Sequence, residues 1–315
     1  MSFLKKVKRL KFYYYATNIL EYIVPKFFSR FFLKKWLKKK PTDQILFDKR
    51  LNHYISPRVD TEKKIDWILL KKFKFPKKAT LYFFDLYRIT KYFDSNKRIK
   101  YKFGDVTEVF EEPTIVKSRP INHNGNSIIM KLDSLRHFNF IEDSLSFEDK
   151  DDRIVWRGEI HKENRRLLVE KFHNHDSCNI GEVSKTGYFP KHWQKLFLTP
   201  KEQLNYKFII SIEGMDVATN LKWIMNSNSL CFMPKPKYET WFMEGLLIPN
   251  HHYVLLKDDY SDLIEKRNFY LKNISEAKFI IKNANDWVNQ FKDLKNEKLL
   301  SIHVLNQYFK QTSQI

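Results

Sequence analysis

Apolar and polar positions in the second half of the chain follow two alternating periods. Short apolar runs predict strands at residues 153–156, 206–212, 229–233 and 252–256. Apolar residues at helical spacing predict helices at 163–172, 200–204, 218–225, 261–273 and 275–291. Strands that alternate with helices indicate an α/β protein with a doubly wound parallel sheet.

The first half shows shorter apolar runs separated by turn signals. Residues 79–89 (ATLYFFDLYRI) predict a buried strand, and residues 114–116 and 127–132 predict two further strands. Residues 122–126 (NHNGN) predict a turn. Near the end of the chain, residues 296–309 predict a long helix that packs back on the first domain.

Shifts in composition predict four segments along the chain. A basic amphipathic N-terminal segment covers residues 1–40 and is followed by Pro41, which stops a helix. A first domain at 41–148, a second at 149–294 and a C-terminal helix at 295–315 follow, with the acid-rich stretch 142–152 at the domain boundary. The sequence has 315 residues, 43% of them hydrophobic, which is ample for two packed domains and excludes a disordered chain.

Positive charge is concentrated at the start of the chain. There are 57 Lys and Arg against 37 Asp and Glu, a net charge of +20, and residues 1–40 hold twelve of the cations beside a single acid, Glu21. Such a surplus attracts nucleic acid, an anionic membrane or phosphorylated small molecules without selecting among them. The two cysteines, Cys178 and Cys231, exclude a disulfide framework and a four-thiolate zinc site.

The basic N-terminal segment is also rich in aromatic residues. Its most apolar part, residues 12–32, is interrupted by Glu21, Lys26 and Arg30, so no membrane-spanning helix is predicted there. A secretory signal is not expected, because a clean apolar region and a cleavage site are missing. Cations beside aromatic residues are typical of a helix at a membrane surface. An ordinary helix packed on the domain, with its charges in water, fits the same residues.

Absent motifs exclude several common enzyme classes. The chain has no G-x-G-x-x-G fingerprint, no P-loop and no G-x-S-x-G elbow. It has no D-x-D beside an apolar strand, and Asp151 and Asp152 lie in a predicted polar linker. His173 and His175 form an isolated H-x-H pair, for which a surface loop is a better interpretation than a metal site. No RNA-binding module accompanies the basic and aromatic residues.

The best candidate for a ligand site lies where predicted strands end. Arg157 follows the strand 153–156, and Arg165 lies on the next helix. Residues 213–220 (EGMDVATN) join another strand to a helix. Ligands of open α/β sheets bind at the carboxyl ends of strands, and a strand-to-helix turn offers N–H groups to anions. The residues therefore fit a diphosphate site formed by residues 215–220 with Arg165, or equally a plain strand–helix connection with a surface arginine.

A series of motifs follows in order from about residue 101 to residue 309. They are FGDV (103–106), PTIVKSRP (113–120), KLDSLRHF (131–138), VWRG (155–158), YKFIISIEGMDVATNLKW (206–223), SNSL (227–230), KPKYETWFMEGLLIPNHHYV (235–254) and DDYSDL (258–263). With these motifs the chain resembles glycosyltransferase family 90. That family includes bacterial lipopolysaccharide glycosyltransferases, capsule-associated glycosyltransferases and eukaryotic protein O-glucosyltransferases. The resemblance is greatest to the bacterial lipopolysaccharide branch, and the first 100 residues match far less.

The resemblance implies an α/β fold of the GT-B type, in which two Rossmann-like domains face a cleft. The first domain, 41–148, would bind the acceptor and the second, 149–294, the nucleotide-sugar. It further implies an inverting transfer of a hexose from a UDP-sugar, without a metal or other cofactor. The implied acceptor is a lipopolysaccharide or lipooligosaccharide core at an anionic membrane surface, with no nucleic acid as partner. The protein is then expected in the cytoplasm, peripheral on the inner face of the cytoplasmic membrane.

The resemblance also assigns candidate site residues. Asp105, in FGDV, matches the catalytic base of the eukaryotic relatives, and a turn or capping role is the alternative. Arg165 matches the arginine on the donor diphosphate, with Arg157 organising the residues behind it. Glu239 lies where related folds place a carboxylate near the ribose, with a helix cap or surface acid as the alternative. The nucleotide-binding turn matches Met215, Asp216, Val217, Ala218, Thr219 and Asn220.

Two further points follow from the same motifs. Eukaryotic relatives carry an arginine where this chain has Asn220, which leaves Arg165, Lys222 or Lys207 to supply the missing charge. Asp133 and Arg136 would either line the acceptor side or form a structural ion pair. Two rival functions stay open: transfer to a capsular glycan or a protein hydroxyl, and a basic nucleic-acid-binding protein.

Overall fold

A computed structural model describes residues 3–55, 66–122, 125–184 and 187–314, and of residues 3–9 the backbone alone. The chain divides into two compact units. The first takes in the described residues up to Arg136, together with Tyr238–Met243 and those from Phe291 onward. The second consists of His137–Lys237 and Glu244–Gln290. Two residues of the predicted turn at 122–126 lie outside the described residues, and the predicted domain limits stay a prediction.

Helices and strands alternate from β7 to β10, and elsewhere they follow one another in groups of the same type. Its first part contains α1 (Phe3–Ile23), α2 (Lys26–Phe31), α3 (Leu33–Lys38), α4 (Gln44–Tyr54), β1 (Ile68–Leu69), α5 (Thr80–Thr90), β2 (Arg98–Ile99), β3 (Tyr101–Lys102), β4 (Thr114–Val116), β5 (Ser118–Pro120), β6 (Ser127–Ile129) and α6 (Ser134–His137). The remainder contains β7 (Asp151–Gly158), α7 (Glu163–Phe172), β8 (Cys178–Glu182), α8 (Pro200–Gln203), β9 (Tyr206–Ile210), α9 (Leu221–Met225), β10 (Leu230–Met233), β11 (Tyr238–Thr240), β12 (Val254–Leu255), α10 (Leu263–Lys272), α11 (Ile274–Asn289) and α12 (Leu294–Gln311).

The second unit is built on a parallel sheet, as the sequence predicts. Its strands run in the order β12-β10-β9-β7-β8 within the described residues, and every neighbouring pair is parallel. Side chains of β7, β9 and β10 are buried in one core, among them Ile154, Phe208 and Phe232. Strands of a parallel sheet are apolar on both sides because helices cover both faces of the sheet. The α/β prediction is confirmed, and parallel strands place their carboxyl ends at one edge.

Three sequence predictions about individual elements were wrong or incomplete. Residues 79–89 are not a strand, because Thr80–Thr90 form α5. This helix buries most of its residues, so it lacks the polar face that reveals a helical period. Asp151 and Asp152 begin β7 rather than lying in a linker. The sequence CNIGE of β8 was missed, because its Asn and Gly are depleted in strands.

A single carboxylate, that of Glu297 on α12, joins distant parts of the first unit. Its Oε1 lies 2.7 Å from Arg50 Nη1 of α4, and its Oε2 accepts from Lys131 Nζ at 2.7 Å and from Trp241 Nε1 at 2.7 Å. All of these side chains are buried or nearly so. Because a buried charge is stable only when it is paired, this junction holds α12 and Tyr238–Met243 in the first unit.

Both cysteines are buried and free. None of the described helices is long and apolar enough to cross a membrane.

Candidate active site

A pocket of about 220 Å³ lies at the carboxyl edge of the parallel sheet in the second unit. It forms where β7 and β9 end and the chain turns into α7 and α9. Four residues of the predicted site lie in its wall: Arg157, Arg165, Thr219 and Asn220. The other lining residues are Trp156, Gly158, Phe197, Leu198, Pro200, Gln203, Ile212 and Trp223. The pocket therefore combines two cations with aromatic and apolar walls.

Arg165 is fixed in this pocket by backbone carbonyls. Its Nε donates to Glu213 O at 3.2 Å, its Nη2 to Ile212 O at 3.0 Å and its Nη1 to Glu159 O at 2.9 Å. A guanidinium has five N–H donors, so two remain beyond these bonds within the described part of the chain. Burial lowers the pKa of this guanidinium, although an arginine keeps its charge at neutral pH. Arg165 is thus held in one orientation, and its contact with an anion stays a prediction.

Gly214 permits this approach of the guanidinium to the turn. A Cβ at residue 214 would lie 2.9 Å from Arg165 Nη2, closer than real Cβ contacts allow. Lys162, which precedes α7, also reaches the turn, where its Nζ donates to Met215 O at 2.7 Å. The start of α7 and the turn after β9 are consequently held together.

Arg157 is engaged more fully than Arg165. It donates to Leu196 O at 2.9 Å, Trp156 O at 2.9 Å, Asn179 O at 2.6 Å and Asn179 Oδ1 at 2.7 Å. These four bonds fasten the loop at Leu196 to β7 and β8. The predicted organising role of Arg157 stays a prediction, and the residue also lines the pocket.

The predicted turn over residues 215–220 contributes its end rather than its start. Met215 is exposed, while Asp216, Val217 and Ala218 are buried. The Asn220 side chain donates to Ile210 O at 3.0 Å and accepts from Ser211 Oγ at 3.1 Å. Its amide therefore ties the end of β9 to the start of α9, and its contact with a ligand stays a prediction.

Neither lysine considered as a substitute cation lines this pocket. Lys222 is buried, and its Nζ lies 2.6 Å from Glu244 Oε1. Lys207 pairs with Asp152. Of the three candidates for the missing charge, Arg165 is the one that the pocket contains.

Sequence reasoning did not find the apolar walls of the pocket. Trp223 follows Asn220 by three residues, so the two share one face of α9, and that spacing was an available signal. Phe197 and Leu198 lie in the loop between β8 and α8, where no periodic pattern marks them.

Asp105 lies in the first unit, in the loop that follows β3. Gly104 before it has φ +108°, a left-handed conformation that favours glycine. The Asp105 Oδ1 atom is 2.5 Å from Lys117 Nζ and 3.6 Å from Arg136 Nη2. The Lys117 side chain is 1% exposed, whereas that of Asp105 is 35% exposed. The Oδ1 atom of the partly exposed Asp105 is thus bound by the buried ammonium of Lys117.

These cations keep Asp105 ionised. Burial by itself raises the pKa of its carboxyl, but hydrogen bonding and charge attraction from Lys117, then Arg136, bring the pKa below its usual range. Arg136 Nε also lies 2.8 Å from Asp133 Oδ2. The ion pair proposed for Asp133 and Arg136 is therefore present, and it adjoins Asp105.

Glu239 is a buried member of β11 in the first unit. Its Oε1 accepts Arg119 Nε and Nη2, each at 2.8 Å, and its Oε2 lies 2.9 Å from His53 Nε2. It is neither a helix cap nor a surface acid, because both oxygens are bound inside the unit. Burial raises the pKa of its carboxyl, while His53 and Arg119 outweigh this and lower it. Its predicted place beside a ribose stays a prediction.

The candidate residues thus fall into two groups. Asp105 and Glu239 belong to the first unit, and the arginines with residues 215–220 belong to the second. His173 hydrogen-bonds its own helix through Nδ1, and His175 Nδ1 accepts from Ser177 N, as expected for a surface loop. Among the described residues, no group of three or more His, Cys, Asp and Glu is placed to hold a metal ion.

Comparison with known proteins defines the class. The profile of the family described as Glycosyl transferase family 90 matches residues 130–314, which include the whole pocket and begin after Asp105. The protein is accordingly a glycosyltransferase. The chain belongs to glycosyltransferase family 90, as its motifs indicated.

Two relatives mark its position in the family. Over 238 residues the chain is 45% identical to O-glucosyltransferase LpsA of Dichelobacter nodosus, which covers 75% of this chain and 74% of that protein. Over 183 residues it is 28% identical to Protein O-glucosyltransferase 3 of Homo sapiens, covering 54% of this chain and 32% of the human protein. The chain therefore spans about a third of that longer relative.

Proposed function

We propose that the protein transfers a hexose, with glucose the first to test, from a UDP-sugar to a lipopolysaccharide or lipooligosaccharide core. The observation that carries this proposal is the 45% identity to a protein named O-glucosyltransferase LpsA. The arginine-lined pocket at the carboxyl edge of a parallel sheet supports it, since such edges bind phosphorylated ligands.

In the second unit, Arg165 would take up the negative charge of the departing diphosphate. Charge on that group grows as the glycosidic bond breaks, so a cation fixed before the reaction favours the transition state. The carbonyls of Glu159, Ile212 and Glu213 already orient the guanidinium, and two N–H groups remain for the ligand. Trp156, Phe197 and Trp223 would form the apolar surroundings of the nucleotide. By resemblance to the family, no metal takes part.

In the first unit, Asp105 would deprotonate the acceptor hydroxyl as that oxygen attacks the anomeric carbon. One direct displacement inverts the configuration at this carbon, and it requires an ionised carboxylate. The lowered pKa of Asp105 keeps its carboxylate ionised, as this displacement requires. We assign the two units to the acceptor-binding and nucleotide-binding Rossmann-like domains of a GT-B enzyme.

The place of action that fits such an acceptor is the inner face of the cytoplasmic membrane. The acceptor is a phosphorylated glycolipid, and the twelve cations among residues 1–40 would be attracted to an anionic surface. We therefore propose a cytoplasmic protein that is peripheral to this membrane.

A UDP-release assay tests the reaction. Purified protein is incubated with UDP-glucose, UDP-galactose and UDP-N-acetylglucosamine, with and without deacylated lipooligosaccharide. We expect slow UDP release from one donor and a large acceleration by the acceptor. No UDP release from any donor, combined with tight and salt-sensitive RNA binding, would favour the nucleic-acid alternative.

A protein hydroxyl is a second candidate acceptor. It rests on the similarity to Protein O-glucosyltransferase 3. Acceleration of UDP release by a folded protein substrate, but not by lipooligosaccharide, would replace the first proposal with this one. Acceleration of UDP release by a capsular glycan alone would replace the first proposal with transfer to that glycan.

A further inference from the structure

The first two helices expose their apolar side chains. Ile23, the last residue of α1, is 70% exposed. In α2, Phe27 is 73% exposed and Phe31 is 79% exposed. We call the exposed set the N-terminal apolar face, and it consists of Phe12, Tyr13, Ile19, Leu20, Ile23, Val24, Phe27, Phe28 and Phe31. Large apolar groups concentrated on one segment mark an interaction surface rather than ordinary scatter.

Several polar side chains of the same helices instead face the protein. In α1, Asn18 is buried, Tyr14 Oη donates to Asp85 Oδ1 at 2.7 Å, and Glu21 pairs with Lys91 at 2.8 Å. Tyr22 adds an aromatic contact with Tyr87, with ring centroids 4.8 Å apart. The helix is therefore attached to α5 largely through polar groups and tyrosines.

The short helix α2 repeats this arrangement. Lys26 Nζ donates to Leu70 O at 3.2 Å, Arg30 Nε donates to Phe93 O at 3.1 Å, and Ser29 is buried between them. A helix at a water-exposed surface normally buries its apolar stripe and exposes its charges. Here α2 does the reverse, so its outer face is suited to an apolar environment.

A group of lysines adjoins this face. Lys34, Lys35, Lys38 and Lys39 line an open groove of about 850 Å³ together with Phe31, Phe32 and Trp36. In the described residues, Lys34, Lys35 and Lys38 form no ion pair with a carboxylate. Trp36 fixes α3 through a ring contact with Tyr92 at 6.4 Å. Apolar groups beside unpaired cations are complementary to the acyl chains and phosphates of an anionic bilayer.

We propose that α1, α2 and α3 form a membrane-insertion surface. The N-terminal apolar face lies among the upper acyl chains, and the lysines of α3 contact lipid phosphates. This goes beyond the proposed reaction, since it requires neither a sugar donor nor an acceptor, and beyond adsorption by charge, since the apolar side chains enter the bilayer. A second copy of the chain fits less well, because a two-fold contact brings the lysines of both copies together.

Vesicle binding by a double variant tests the insertion. Phe27→Ser/Phe31→Ser is compared with Phe269→Ser/Phe279→Ser, a matched control on α10 and α11 with side chains that are also exposed. The vesicles contain equal parts of phosphatidylglycerol and phosphatidylcholine. We expect about a hundredfold weaker partitioning for the first variant, from roughly tenfold for each inserted ring, and no change for the control. Melting temperatures of both variants should match the wild type, because the altered rings are exposed.

Salt and lysine variants separate insertion from adsorption. Lys34→Gln/Lys35→Gln/Lys38→Gln should bind these vesicles more weakly than wild type at low salt, and by a smaller ratio at high salt. Wild type should keep part of its binding at high salt, where Phe27→Ser/Phe31→Ser loses it. Unchanged binding of the phenylalanine variant would overturn the proposal in favour of adsorption by charge. Conversion of a vesicle-free dimer to a monomer by that variant would overturn it in favour of self-association.

Donor hydrolysis without acceptor keeps this test apart from the proposed function. Phe27→Ser/Phe31→Ser should release UDP from the donor at the wild-type rate. If wild type inserts into vesicles but hydrolyses no UDP-sugar, the reaction is wrong and the insertion surface stands. If it hydrolyses the donor but ignores vesicles, the insertion surface is wrong and the reaction stands.

Discussion

Replacement of Asp105 by Asn changes both stability and turnover, and the structure allows the two effects to be separated. Removing one partner of a fully buried ion pair costs about 3–5 kcal/mol. Lys117 is 1% exposed but Asp105 is 35% exposed, so water screens the pair. We therefore expect a loss of about 1–2 kcal/mol in the free energy of unfolding, measured in urea. Turnover should fall by ~10²-fold or more, because the base is lost.

The second variant in this cycle is Lys117→Met, which removes the buried ammonium. In Asp105→Asn/Lys117→Met no ammonium is left facing a neutral amide, so part of the lost stability returns. Turnover of the double variant stays as low as that of Asp105→Asn. An Asp105→Asn enzyme with normal UDP release in the presence of acceptor would refute the assignment of the base. Recovery of turnover by the double variant would show that the defect was structural.

Lys117→Met alone tests the same pair through pH. Lys117 lowers the pKa of Asp105, whereas burial raises it, so removal of the ammonium raises the pKa of Asp105. The acid limb of kcat/KM should then move to higher pH, since the base is protonated earlier. In wild type the depressed pKa contributes stability above the ordinary carboxyl pKa, and this is lost as pH falls through the folded-state value. An unchanged acid limb would contradict the coupling.

Three further predictions concern the second unit, the metal question and Glu239. Arg165→Ala should weaken UDP binding, measured by calorimetry, and lower kcat/KM still more, and Arg165→Lys should recover part of both. Arg157→Ala should lower the stability of the protein about as much as Arg165→Ala does, but with a smaller effect on UDP affinity. EDTA should leave wild-type turnover unchanged; activity lost to EDTA and restored by Mn²⁺ would contradict the metal-free proposal. Glu239→Gln should destabilise the protein by about 3 kcal/mol in urea unfolding, since Arg119 would stay buried without its anion, and an unchanged midpoint would contradict that reasoning.

The second unit followed from the sequence more completely than the first. The helix at 163–172 was predicted with its observed limits, and apolar runs such as 206–212 mark strands covered on both faces. The strand prediction for residues 79–89 was wrong for a related reason. A helix that is buried on almost all sides also has a continuous apolar sequence.

The candidate site divides in the same way. Motifs placed Arg157 and Arg165 near one turn. The number of hydrogen bonds that each makes, four for Arg157 and three for Arg165, depends on carbonyls from distant segments and has no signal in the motifs. The pairing of Asp105 with Lys117 joins residues twelve positions apart through the turn from β3 to β4. No local spacing rule predicts such a contact, since it depends on how neighbouring strands are registered.

The carboxylate of Glu297 has a consequence for the order in which the protein is made. Arg50 and Lys131 leave the ribosome long before their anionic partner, which follows only after the whole of the second unit has been synthesised. Domains usually fold as they emerge, the N-terminal one first. Here synthesis of the first unit starts first and ends last. Until α12 has been synthesised, Arg50 and Lys131 have no Glu297 carboxylate to pair with. The first unit of a nascent chain therefore cannot complete its fold until the second unit has been synthesised.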